Sequence, residues 1–128
     1  MKVILAEPQK KPMVIELEPT LSAMQNAVGG HIQAIYPFEE PVALVCHEEG
    51  KLLNRTLNRE LFSPDTGECY DVIAGSFFLC SAPPDSDSFE SLSDEQIAHY
   101  LARFQHPEAF LRINGSLLCV PIEEAADD

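Results

Sequence analysis

The chain has 128 residues, 45% of them apolar, and carries 21 acidic against 8 basic side chains, for a formal net charge of −13. That size and composition fit one hydrophobic core and exclude wholesale disorder, and no apolar run approaches the ~20 residues that a membrane-spanning helix requires. The charge is uneven, net −5 over residues 1–84 and net −8 over residues 85–128; a field of that sign repels phosphate backbones, so direct nucleic-acid binding is not expected.

At the start of the chain, Glu7 and Pro8 cut the apolar run Val3–Ala6 too short for a secretion signal, and a cytoplasmic location is expected. Val3–Ala6 and Met13–Leu17 flank Pro8-Gln9-Lys10-Lys11-Pro12, which has the length and residues of a hairpin loop. Thr20 then offers an N-cap, Leu21, Met24 and Val28 recur at helical spacing, and Gly29-Gly30 supplies a stop, predicting a helix over 20–29. His31–Tyr36 and Val42–His47 read as a second strand pair around Pro37-Phe38-Glu39-Glu40-Pro41. Leu53, Leu57 and Leu61 are spaced by four, as are Asn54 and Asn58, and Arg55 and Arg59, which fits either a short helix or a structured loop. Tyr70–Cys80, dense in β-branched and aromatic residues, is expected at the centre of the sheet.

The polar stretch Ala82–Ser88 is the one clear shift in composition, and it divides a core domain at 1–84 from a C-terminal unit at 85–128. In that unit Ser93 and Gln96 make a capping box, Leu92 can staple onto Ile97, and Ile97, Tyr100, Leu101 and Phe104 form one apolar stripe, predicting a helix over 93–105. Asn114-Gly115 between two apolar runs is a hairpin signal, with an acidic tail, Glu123–Asp128, expected to fray beyond it. Together these elements predict an α+β fold: an antiparallel-rich mixed sheet of four to six strands with two helices packed against it, the C-terminal connector, helix and hairpin lying on the core.

Chemistry is sparse. Cys46, Cys69, Cys80 and Cys119 show no close pair spacing and read as free thiols; without Cys-x-x-Cys or His-x-x-x-His there is no reason to expect a metal, and no motif implies another cofactor. Gly29-Gly30 follows a helix instead of opening one, so no phosphate loop is present. No titratable pair has a local reason for a shifted pKa, and the expectation is a protein that is not an enzyme.

The informative cluster is Lys51, Asn54, Arg55, Asn58 and Arg59, a local positive patch on a negative chain, able to hold an anionic ligand or acidic partner or simply to pair with Glu48, Glu49 and Glu60. Phe38, Phe62 and Phe89 are the aromatics least explained by core periodicity and are candidate anchors. The reading is a small acidic interaction or regulatory module that docks to a protein. An acidic DNA mimic that blocks a nucleic-acid enzyme is the alternative, requiring carboxylates along an ordered stripe, and a small uncharacterised enzyme ranks below it. The oligomeric state is left open.

Three stretches, Val28-Gly29-Gly30-His31-Ile32-Gln33-Ala34-Ile35-Tyr36, Asn58-Arg59, and Tyr70-Asp71-Val72-Ile73-Ala74-Gly75-Ser76-Phe77-Phe78, together with the lysine-led N-terminal hairpin, resemble the DUF3846 family of unknown function over about residues 1–81. The resemblance implies a relative from Gram-positive bacteria, phages or mobile elements, and carries no activity, cofactor or site residue with it. Similar proteins often have proline where this chain has Thr56-Leu57, which favours a structured loop over a helix at 53–61.

Overall fold

The computed structural model describes residues 1–122; the expected fraying of the acidic tail concerns residues outside that range. Lys2–Ala6 (β1) and Met13–Glu16 (β2) form the N-terminal hairpin, with Val3 opposite Ile15. The helix α1, Leu21–Val28, begins where the Thr20 hydroxyl accepts from the Ala23 N–H and ends at Gly29, whose φ of 86° is the left-handed cap that glycine adopts most readily. Ile32–Ile35 (β3) and Val42–His47 (β4) pair antiparallel with Gln33 opposite Cys46.

The residues that follow depart from the expectation. Leu57–Phe62 (β5) is a strand, not a helix or loop, and it pairs antiparallel with Cys69–Ala74 (β6). Spacing by four does not separate the two cases, because residues four apart share a face in a strand as well as in a helix. The Tyr70–Cys80 segment is likewise not one strand. It breaks at Gly75, φ 85°, and only Phe77–Ser81 (β7) enters the main sheet.

That sheet has the order β2-β1-β7-β4-β3 with every neighbouring pair antiparallel. β4 and β7 are apolar without alternation because both of their faces are covered. Leu44, Phe77, Leu79 and Ile4 point into one core, completed by Leu61 and Ile73 of the β5–β6 pair. Val3, Ala43, Val45 and Phe78 point into a second core, closed by Val28 and Met24 of α1.

The C-terminal helix α2, Asp94–Arg103, joins the first of these cores. Its capping box is present: Gln96 N–H donates to Ser93 Oγ at 3.1 Å and Ser93 N–H donates to Gln96 Oε1 at 2.9 Å. Tyr100 and Phe104 are buried and Leu92 is buried ahead of the helix, each such side chain contributing roughly 1.5–3 kcal/mol by leaving water. The connector before α2 is a closed loop, pinned by reciprocal Ser81 and Glu90 backbone hydrogen bonds of 2.9 Å. Glu108–Ile113 (β8) and Ser116–Pro121 (β9) then form a separate two-stranded sheet around Asn114 and Gly115, both at positive φ. Among the described residues no helix is long and apolar enough to cross a membrane.

Candidate functional site

The basic cluster does not assemble as a surface patch. Lys51 Nζ is paired with Asp71 Oδ1, Asn54 turns the chain at φ 60°, and Arg55 Nη2 donates to the Gly29 carbonyl at the end of α1, 3.2 Å away. Asn58 and Arg59 are fully buried and are removed from any binding face. The cause is a bulge. Leu57 opposes Ala74 and Arg59 opposes Ile73, so Asn58 is an extra residue in β5.

Asn58 Nδ2 donates to the carbonyls of Ala6 and Gly75, each at 2.9 Å, and Asn58 Oδ1 accepts from Arg59 Nη1 at 2.7 Å. Arg59 donates from Nε and Nη2 to the Phe104 carbonyl at 3.3 and 3.0 Å, and from Nη2 to the Lys10 carbonyl at 2.8 Å. Burial pulls the Arg59 pKa down from its ordinary value while the Glu108 carboxylate opposes that pull. A guanidinium at the C-terminal end of α2 also meets the negative pole of the helix dipole. This pair fastens the N-terminal hairpin, the Gly75 corner and α2 to one another, so the Asn-Arg signature is a structural device.

Two of the three aromatic anchors are half-buried and pack against the cores. Phe38 packs on Tyr100 at 4.7 Å between ring centroids and on Phe104 at 6.2 Å, and Phe89 packs into the second core. Phe62 stays 37% exposed. Gly30 is explained by contact as well: a Cβ there would lie 2.4 Å from Nε2 of the buried His47, whose Nδ1 accepts from Glu49 N–H at 2.9 Å.

The described residues contain no group of three His, Cys, Asp or Glu side chains placed to hold a metal ion. Cys46 lines a cleft with Lys51 and Asp71, but burial first, and Asp71 second, push its pKa above the ordinary thiol value, disfavouring the nucleophilic thiolate.

Under the C-terminal hairpin lies a more strongly perturbed group. Glu108 Oε1 accepts from Glu60 N–H at 3.1 Å, and burial pushes the Glu108 pKa up to about 7, with the Glu60 carboxylate adding to the rise and Arg59 opposing it. Burial and Glu60 likewise raise the Cys119 thiol to about 11.

These contacts assign the two faces of the hairpin. The register Glu108↔Pro121, Phe110↔Cys119, Arg112↔Leu117 puts Glu108 and Cys119 on the face turned to β5. The opposite face carries Leu111 and Ile113 of β8 and Leu118 and Val120 of β9, with Leu111 directly across from Leu118. These four side chains are 50%, 51%, 47% and 39% exposed. No described element covers them. The signal for this face was the unbroken run Leu117-Leu118-Cys119-Val120, apolar on both sides of a strand that has a body to pack on along only one of them.

A family model described as a domain of unknown function (DUF3846) matches residues 1–105 of the chain. The match runs beyond the resemblance seen at 1–81 and takes in α2, whose terminal carbonyl Arg59 holds. The hairpin lies after it. No curated protein and no solved structure matches the chain.

Proposed function

Starting from the premise that this chain belongs to the DUF3846 family, we propose that it is an acidic protein-interaction module whose docking face is the outer surface of the C-terminal hairpin. The observation that carries this reading is the cluster Leu111, Ile113, Leu118 and Val120, exposed together on one side of a two-stranded sheet. A contiguous apolar face on a highly charged chain is disfavoured by solvation alone and is the kind of surface that partners cover.

The charge favours one kind of occupant over another. The chain is net −13, and Glu123, Glu124, Asp127 and Asp128 follow the hairpin closely in sequence, with Arg112 as the hairpin's own base. A second copy would bring two strongly negative chains together, whereas a partner with an apolar patch rimmed by lysine and arginine gains both burial and electrostatic steering.

The test places a photo-crosslinking residue at position 118 in the native host, then measures the purified captured protein against wild type and a Leu111→Ser/Leu118→Ser variant. The expected result is a basic-rimmed protein, bound at least about 30-fold more weakly by the variant, as loss of two central anchors implies, and bound more slowly as salt rises. Crosslinking to a second copy of the chain, or equal binding by both forms, would reject the reading.

A further inference from the structure

A cavity of about 590 Å³ opens on the face of the main sheet that carries α1. Met1, Met24 and Phe89 line it and also pack against the second core. Tyr36, 60% exposed, stands at its rim. Pro19 and the connector loop form the remaining wall, and the loop is held in shape by the Ser81–Glu90 bridge and by Ser88 N–H donating to Ser86 Oγ at 3.2 Å. The volume falls in the range of small-molecule pockets, ~300–1,000 Å³.

The lining contains one charged side chain, Asp87, which is exposed and has no ion-pair or side-chain hydrogen-bond partner among the described residues. No lysine, arginine or histidine lines the cavity, and the one cationic group beside it, the Met1 ammonium, is already engaged by Glu16 Oε1 at 3.5 Å and by the Leu17 carbonyl at 2.7 Å. We propose that it binds a small apolar cation, an aryl- or alkylammonium compound. The hydrocarbon would lie on Met24 and Phe89, and the charged head would be drawn to the Tyr36 ring and the Asp87 carboxylate. Thioethers adapt to irregular apolar ligands, an aromatic face attracts a cation, and the net charge of −13 favours a positive ligand over a neutral or anionic one.

The three methionines make the test internal, because Met1 and Met24 line the cavity while Met13 stands on β2 outside it. The full chain is titrated with benzyltrimethylammonium chloride while the methionine methyl resonances are followed, and the titration is repeated with benzyl alcohol and with benzenesulfonate. The expected result is saturable movement of Met1 and Met24 with Met13 unmoved, and tighter binding of the cation than of either analogue. Asp87→Asn and Tyr36→Leu should each weaken the cation about two- to fivefold, the size of an exposed cation–π or ionic contact, and Asp87→Asn should leave benzyl alcohol unchanged. An unchanged Met13 resonance in each variant reports that the fold is intact. Absence of saturation, equal affinity for the three probes, or indifference of the cation to both substitutions would overturn the proposal.

Discussion

Arg59 donates from Nη1 to Asn58 Oδ1 across 2.7 Å, two adjacent residues of one strand with both side chains turned into the protein. A regular strand would send them to opposite faces, and the bulge at Asn58 is what brings them together. Replacing Arg59 with alanine leaves the Phe104 and Lys10 carbonyls and Asn58 Oδ1 without their donor, at an expected cost of about 3–5 kcal/mol. Arg59→Lys should cost roughly 2 kcal/mol because an ammonium cannot reproduce the planar fork. Asn58→Ala should cost about 2–3 kcal/mol for the carbonyls of Ala6 and Gly75. Urea unfolding of the singles and the double variant checks this, and strictly additive losses would separate the two residues.

Gly30 and His47 share one volume. Alanine at position 30 drives its methyl into the imidazole, whose Nε2 would be 2.4 Å away, so Gly30→Ala should destabilise the protein by about 1–3 kcal/mol, the usual cost of overpacking. Shortening the neighbour makes room: in the His47→Ala background the same substitution should cost under about 1 kcal/mol, the strain having been relieved. Thermal unfolding of the four proteins in the cycle measures it.

Glu108 makes stability depend on pH with a definite sign. Its pKa rises from the ordinary carboxyl value of 4.5 to about 7 in the folded protein. Between those values the folded state keeps a proton that the unfolded state has released. The stabilisation is fully present below pH 4.5 and is lost as pH climbs through about 7. Because Glu108 is only partly buried, the contribution is discounted to on the order of 1 kcal/mol. Glu108→Gln should flatten this part of the stability profile, which denaturant melts at several pH values between 4.5 and 8 would show.

Three of the four thiols should differ in reactivity. Cys80 is buried, and burial raises its pKa to about 12, while Cys46 is buried and raised as well. Cys69 is exposed. With a thiol reagent at pH 8, Cys69 should label first in the native protein, Cys46 more slowly from its cleft, and Cys80 only at the rate of unfolding. Mass mapping of the adducts over time decides it; rapid native labelling of Cys80 would contradict its placement in the sheet.

Features governed by neighbouring residues were legible in the sequence. The Ser93–Gln96 capping box, the Thr20 cap, the Asn114-Gly115 turn and the β3–β4 strand pair each follow from residues a few positions apart. Burial of Arg59 follows instead from Phe104 and Lys10, 45 and 49 residues away, and an arginine beside acidic neighbours reads as surface until those partners are known. Phe38 is similar, since its packing depends on rings contributed by α2. Local sequence reported the charges of the basic cluster correctly but not their side of the sheet, because an inserted strand residue reverses facing without changing composition.

The placement of β7 between β1 and β4 has a consequence for synthesis. As the nascent chain leaves the ribosome, the β1–β2 and β3–β4 hairpins are complete long before Phe77–Ser81 appears, yet neither touches the other in the sheet except through that strand. Ile4 and Leu44 both wait for Leu79. Until it arrives the chain presents two hairpins with bare apolar edges, the condition in which polypeptides pair with the wrong neighbour. One late pentapeptide thus closes the sheet in a single insertion, and a ribosome that stalls before residue 77 leaves a product with two halves and no joint.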